Sequence, residues 1–376
     1  MEPPRPDLVV LSHLRWSWVW QRPQHLISRF ATDHVTWFVE EPQPSDRVDR
    51  PTMTWERSGQ VWVGQLLVPS DAHHLGFDTP EGDVLRREVV AAAGGSGPLV
   101  WIYTPLALQM ALDLQPDRLV YDVMDDLASF KDASPQLREA QREALRRADV
   151  VFTGGRSLHA GVTPLRPEGT HCFPSGVETE HYRRDRASMF GGTEARRRPR
   201  PVAGYVGVID ERLDLDLIDD MAAALPDWEV RLVGPVAKID PSSLPRRENI
   251  SYPGPAAYAE LPAVMAGFDV ALMPFAMNEA TRSISPTKTL EYLAADLPVV
   301  STRVPDVVAD YSHVVALRDD GRGFAAACRE ILQQYDLAQH RRHCRPVLDQ
   351  QHWDKIAGRM RALVLRTAAD VEEISA

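Results

Sequence analysis

The stretch Ser285-Pro-Thr-Lys288-Thr-Leu-Glu291-Tyr-Leu-Ala-Ala-Asp-Leu-Pro298-Val-Val-Ser-Thr302 reads as a helix followed by a buried strand. Ser285 is a good N-cap, and Pro286 suits the first helical position, where its missing N–H costs nothing. Leu290, Leu293 and Ala294 recur at helical spacing and form the packed face. Lys288 is out of place in this pattern. A cation in the first turn faces the positive end of the helix dipole, unfavourable by about 0.3–1 kcal/mol unless an anion sits there too. Free N–H groups, the dipole and the lysine together make a phosphate site, to which the Ser285 and Thr287 end of the helix contributes. Glu291 lies one turn on, on the same face, and can accept hydrogen bonds from a vicinal diol such as a ribose. Phosphate beside diol describes a nucleotide.

Outward from this stretch, strand and helix patterns alternate along the whole chain, which predicts an α/β architecture with parallel sheets. Apolar runs at 8–11, 35–39, 99–103, 118–123 and 150–153 read as strands of a first half, with a hairpin pairing 53–56 against 61–68. A second alternation begins with the strand 202–208 and the helix 213–225, followed by strands 229–233, 270–274 and 297–301. Between the halves the chain is rich in Arg, Gly and Pro. The expected organisation is a Rossmann-like domain over 1–183, a linker over 184–200, a second Rossmann-like domain over 201–350, and a closing helical segment over 351–376. Each domain then offers the carboxyl ends of its strands to a cleft between the two.

At 376 residues the chain can build two cores, and 44% apolar with 25% charged residues is ordinary for a soluble globular protein. No apolar run approaches a membrane span, and the first residues do not read as a signal peptide. Three cysteines without metal-like spacing fit a reducing cytoplasm. A net charge of −11 argues against a general nucleic-acid binder. Arg183, Arg184, Arg186, Arg196, Arg197, Arg198 and Arg200 crowd one short stretch. A solvated linker is the plainer reading of that cluster, and contact with the inner face of an anionic membrane the alternative.

Pro286-x-Lys288-x-x-Glu291-Tyr-Leu-Ala-Ala-x-x-Pro298-Val-Val resembles the donor-binding helix of retaining GT-B glycosyltransferases of the bacterial cell-surface polysaccharide type (group 1, family 4-like). Trp20-Gln-Arg-Pro-Gln-His25-Leu, Tyr121-Asp-Val-Met-Asp-Asp126, Phe173-Pro-Ser-Gly-Val177 and Gly204-Tyr-Val-Gly207 match further segments of that family in the right order. The resemblance implies a GT-B fold whose last helix crosses back to the first domain. It also implies a hexosyl transfer from a nucleoside diphosphate sugar to a glycan, lipid-linked or small-molecule hydroxyl, with retention, no cofactor and no metal ion. Gly207 and Arg212 stand in the loop where the family contacts the donor diphosphate, although the lysine that often follows is replaced by Leu213-Asp-Leu-Asp-Leu. The family's Glu-x7-Glu pair is incomplete: Glu291 matches the second member, but Ser283 occupies the place of the first. Glu279, in a longer loop, is the candidate substitute, and Arg282 in the same loop is a candidate phosphate or sugar contact.

The first domain is expected to hold the acceptor. Its first post-strand loop carries Trp16, Trp18 and Trp20, then Arg22, Gln24 and His25 at a helix start. Aromatic faces stack on sugar C–H surfaces, and the polar side chains offer hydrogen bonds. One or two of the tryptophans are expected in the core; all three are not, because alternate positions of an extended segment point opposite ways. Asp125 and Asp126 follow another strand, where the family often places a residue beside the transferred sugar; plain helix-start acids are the competing account. Asp125, His25 and Arg22 make up the candidate catalytic set. Asp214-x-Asp216 is read as acidic residues of a first helical turn in place of a metal site. Two other functions stay open on sequence alone: a sugar-nucleotide 2-epimerase of the same fold, and a non-catalytic nucleotide-sugar-binding partner subunit.

Overall fold

The structure, a computed structural model, describes residues 4–72, 75–95, 97–125, 135–183, 200–278, 281, 284 and 287–365. Glu279, Arg282, Ser285, Pro286, Asp126 and most of the arginine-rich stretch lie outside the described residues. By its contacts the chain divides into Met1–Pro174 with Asp354–Ala376, and Ser175–Trp353. The division falls before the 184–200 stretch that composition marks, because 175–183 packs with the second unit: Val177 N–H donates to Gln351 O (2.9 Å) and Tyr182 joins that unit's core.

In the first unit the strands are β1 (Leu8–Ser12), β2 (Thr36–Glu40), β3 (Gln43–Ser45), β4 (Thr52–Ser58), β5 (Val61–Pro69), β6 (Leu99–Ile102), β7 (Arg118–Val123), β8 (Val150–Thr153) and β9 (Thr170–Cys172). They run β3-β5-β2-β1-β6-β7-β8-β9, all parallel except β4, which forms the expected hairpin with β5. Helices α1 (Arg22–Phe30), α2 (Pro80–Ala93), α3 (Leu108–Asp113), α4 (Pro135–Arg147) and α5 (Arg156–Val162) occupy the connections. The central strands β1 and β2 are buried at every position, as expected of a parallel sheet covered on both faces.

The second unit begins with α6 (Thr179–Tyr182) and contains β10 (Val202–Val206), α7 (Leu215–Ala224), β11 (Glu229–Val233), β12 (Ile250–Gly254) and α8 (Leu261–Ala266). Next come β13 (Val270–Met273), α9 (Thr287–Ala294), β14 (Val299–Ser301), α10 (Pro305–Tyr311), β15 (Ala316–Leu317), α11 (Gly321–Gln334) and α12 (Leu337–Gln350), after which α13 (Trp353–Leu365) returns the chain to the first unit. The sheet order is β12-β11-β10-β13-β14-β15, all parallel. From Asp354 on, α13 packs on the first unit. Asp354 pairs with Arg29 (2.6 Å), Arg361 with Asp33 (2.6 Å), and Arg118 donates to Val364 O (2.8 Å). Among the described residues no helix is long and apolar enough to cross a membrane.

Each sheet has one topological switch point, between β1 and β6 in the first unit and between β10 and β13 in the second. Loops leaving the carboxyl ends there diverge and open a crevice. Two buried networks fix the loop after β1. Glu40, fully buried, accepts from Trp16 N–H (2.7 Å) and from Gln65 Nε2 (2.8 Å). Arg22 gives Nε and Nη2 to Asp122 (2.9 Å each) and Nη1 to Phe173 O (2.7 Å), with both charged partners buried.

Removing one member of that ion pair strands the other in a dry interior, which costs about 3–5 kcal/mol. Arg22→Met is expected to lower the urea stability of the first unit by that amount, and adding Asp122→Asn to recover much of it.

Glu41, beside Glu40, is a second measurable point. Burial pushes its carboxyl up to about 7, against the pull of Arg15 and with a further push from Asp78. The folded chain thus keeps a proton on Glu41 that the unfolded chain releases near 4.5, so this group's contribution to stability is lost as pH rises between those values. Glu41→Gln is expected to match wild type in melting temperature at pH 4 and to exceed it at pH 8.

Candidate functional site

The crevice of the second unit is built by the loops after β10 and β13. Asp214 N–H donates to Pro274 O (2.9 Å), Ala276 N–H to Arg212 O (2.8 Å) and Asn278 Nδ2 to Glu211 O (3.3 Å), so the two loops form one backbone-tied layer. The loops after β10 and β11 also nearly touch. At Gly234 (φ +154°) a Cβ would fall 1.8 Å from Gly207 O, and at Gly207 (φ +153°) 2.5 Å from Tyr205 Oη, so only glycine fits either place. Asp214 caps α7 by accepting from Leu217 N–H (2.9 Å), which places that carboxylate in the helix start.

Two charge pairs border this layer. Arg212 clasps buried Asp210 through Nε (2.9 and 3.0 Å) and Nη2 (2.6 Å), while its own side chain is 40% exposed. Lys288, in the first turn of α9, binds Glu291 at 2.9 Å across one turn. Thr287, the first described residue of α9, is half-buried. Tyr292 on the same helix is fully buried and accepts the Val206 N–H (2.8 Å) at the end of β10. The Tyr205 phenol is pushed up, first by burial, then with Arg212 opposing and Asp210 and Glu291 adding to the shift. One buried ring therefore feels both charge pairs, which ties Arg212 and Glu291 to a common neighbourhood.

The first unit arranges its candidates differently from the sequence expectation. Trp16 is buried against Phe38 (ring centroids 4.9 Å), whereas Trp18 is 67% exposed and Trp20 38%. Arg22 and Gln24 lie deeper than the exposed rings of the loop. Both are buried, because the first turn of α1 faces the core beneath the loop. Arg22 is committed to Asp122, and Gln24 gives Nε2 to Trp16 O (3.0 Å) and takes Gln21 N–H on Oε1 (3.1 Å). Both residues position the aromatic loop. His25 is also buried; its Nδ1 accepts from the Trp20 indole (3.2 Å), which puts the neutral ring's proton on Nε2. Asp125 is half-buried just beyond β7.

His13 is a residue that sequence reasoning missed. It directly follows β1 at the switch point, its buried Nδ1 has no hydrogen-bond partner among the described residues, and burial lowers its pKa to about 4, so the ring is neutral near pH 7. The available signal was its place at a strand's carboxyl end, which the three nearby tryptophans overshadowed. Gly155 caps α5 and Gly154 packs against Met124 as an ordinary tight turn.

Residues 200–334 match the family model of glycosyl transferases group 1. The chain is similar to TuaH of Bacillus subtilis strain 168, named for a teichuronic acid biosynthesis glycosyltransferase, with 27% identity over 70% of this chain and 71% of that one. Among solved structures, HepE of Anabaena in complex with UDP and glucose superposes with a TM-score of 0.68 at 15% identity, over 95% of this chain and 98% of that one. Sucrose-phosphate synthase from Thermosynechococcus elongatus gives 0.67 at 17% identity, over 95% and 97%. The trehalose-6-phosphate structure from E. coli bound with UDP-2-fluoro glucose gives 0.65 at 12% identity, over 96% and 99%. The chain has the GT-B fold, two Rossmann-like units of parallel sheet and helix, and its second unit matches the group 1 glycosyl transferases.

Proposed function

We propose that this protein transfers a hexosyl group from a nucleoside diphosphate sugar to an acceptor hydroxyl in polysaccharide or glycolipid biosynthesis, with retention and without a metal ion. The observation that carries the reading is the pairing of Arg212 and Lys288–Glu291 around the switch point of the second unit. Lys288 and Arg212 take the diphosphate, helped by the amino end of α9, and Glu291 takes the ribose diol. The protein named for teichuronic acid biosynthesis supports a glycan acceptor, and the neighbours holding UDP and glucose or UDP-2-fluoro glucose support a uridine donor. The comparisons lend the 2-epimerase reading no support.

In the reaction the bond from the anomeric carbon to the diphosphate oxygen breaks, and the acceptor oxygen bonds to that carbon on the same face. The acceptor's proton passes to the departing diphosphate. No side chain is needed as nucleophile, so the protein's work is positioning and stabilising the leaving charge. Arg212 and Lys288 do the second. In the first unit, exposed Trp18 offers a stacking face to the acceptor, and His25 and Asp125 offer polar contacts.

Lys288→Ala and Arg212→Ala are each expected to weaken UDP by about 10- to 100-fold, as for a charge-assisted hydrogen bond, and uridine by much less. Calorimetric titration decides this, and equal losses for the two ligands exclude the diphosphate role. Trp18→Ala is expected to leave UDP affinity unchanged and to lower transfer. Release of UDP from UDP-glucose without acceptor, in the presence of chelator, separates the enzyme from a non-catalytic binding subunit: binding with no turnover under any condition favours the latter.

A further inference from the structure

A nucleotide's phosphate competes with Glu291 for Lys288. In this structure Lys288 Nζ sits 2.9 Å from Glu291, whose residue is only 9% exposed. When the lysine turns to a phosphate, a largely buried carboxylate loses its cation, and a buried charge without hydrogen bonds is costly. A replacement donor is already in place.

Tyr182, the last residue of α6, is 3% exposed, and its hydroxyl has no hydrogen-bond partner among the described residues. Helix α6 lies against α9. A stacked pair of rings meets the Tyr182 ring edge-on, His181 at 4.8 Å and Tyr258 at 6.3 Å. Tyr258 stacks on His181 at 4.1 Å and gives its own hydroxyl to Glu178 (3.0 Å). Tyr182 is then the phenol of the group with no hydrogen bond of normal length among the described residues, although Tyr258 and Glu291 both lie near enough to act on its hydroxyl. Its proximity to Glu291 shows in its acidity, which burial reduces first and the Glu291 charge reduces next.

We propose that Tyr182 is a positioning residue for Glu291: its hydroxyl takes over the carboxylate when Lys288 moves to the ligand's diphosphate, so that an ordered carboxylate meets the ribose. This inference rests on the reading of Glu291 as the ribose partner. It explains why a buried phenol, which ordinarily finds a partner, has none while Lys288 holds Glu291.

The test is Tyr182→Phe, alone and combined with Glu291→Gln, with UDP and uridine as probes in calorimetry. UDP affinity is expected to fall about tenfold in Tyr182→Phe and uridine affinity by less than twofold, since uridine leaves Lys288 in place. In the Glu291→Gln background the tyrosine substitution is expected to change UDP affinity less than twofold. The free Tyr182→Phe protein is expected to melt no lower than wild type, because the hydroxyl it loses is unpaired. An unchanged UDP affinity, a loss equal for both probes, an undiminished loss in the Glu291→Gln background, or a clear drop in melting temperature overturns the inference. Comparing UDP with 2′,3′-dideoxy-UDP on wild type keeps the two ideas apart: equal affinities overturn the ribose role of Glu291 itself.

Discussion

The second unit is organised by one unmatched N–H. Strand β10 pairs with β13 only at Ala203↔Val270 and Gly204↔Ala271, after which the strands part. Past that point the Val206 N–H points into the gap with no strand to receive it. Left unmet in a buried place it would cost about 1–3 kcal/mol. The Tyr292 hydroxyl receives it at 2.8 Å, so the divergence that opens the crevice also fixes α9 at its edge. The far end of α9 is held as well. Asp296 turns the chain with φ +57°, its carboxylate is bound by Arg341 at 2.6 Å, and its carbonyl accepts from Tyr335 (2.6 Å). Lys288 and Glu291 therefore ride on a helix secured at both ends by contacts that have no part in ligand chemistry.

Much of this fold is legible in the chain because parallel strands buried on both faces write themselves as continuous apolar runs. Leu8-Val-Val-Leu11 and Val270-Ala-Leu-Met273 could hardly be anything else. Elements that bury little were not legible. Helix α12 reads Leu337-Ala-Gln-His-Arg-Arg-His-Cys-Arg-Pro-Val-Leu-Asp-Gln350, with proline inside and Cys344 as its one buried residue, so no apolar stripe announces it. Strand β12 contains Pro253 and Gly254, which demote a strand on sequence, yet it is an edge strand, where proline is tolerated.

The site divides along the same line. Lys288 and Glu291 were readable because three-residue spacing on a helix is a geometric fact, and the 2.9 Å contact follows from it. Arg22 and Gln24 were not, since a polar side chain in a first helical turn looks the same in sequence whether that turn faces a crevice or the core. Only the partners decide: an Asp122 carboxylate contributed by β7, and the carbonyl of Trp16. Tyr182 lay beyond sequence reasoning for a related reason. Its segment has no strong periodicity, and an unpaired hydroxyl is a property of its surroundings.

The charge pairs of the second unit suggest how selectivity arises on the proposed reading. The chain carries a net charge of −11, and Arg212 and Lys288 each already hold a carboxylate. A bare phosphate that draws Lys288 away gains a cation but leaves Glu291 a neutral hydroxyl in place of its cation. A nucleoside offers hydroxyls to Glu291 but gives Lys288 no better partner than it has. A nucleoside diphosphate supplies both halves at once and exchanges one satisfied pair for two. Splitting the Lys288–Glu291 pair thus works against partial ligands, a penalty on the wrong partner that selective sites use as often as attraction to the right one. The intramolecular ion pair weakens every anion a little, and weakens least the ligand that can replace both of its members.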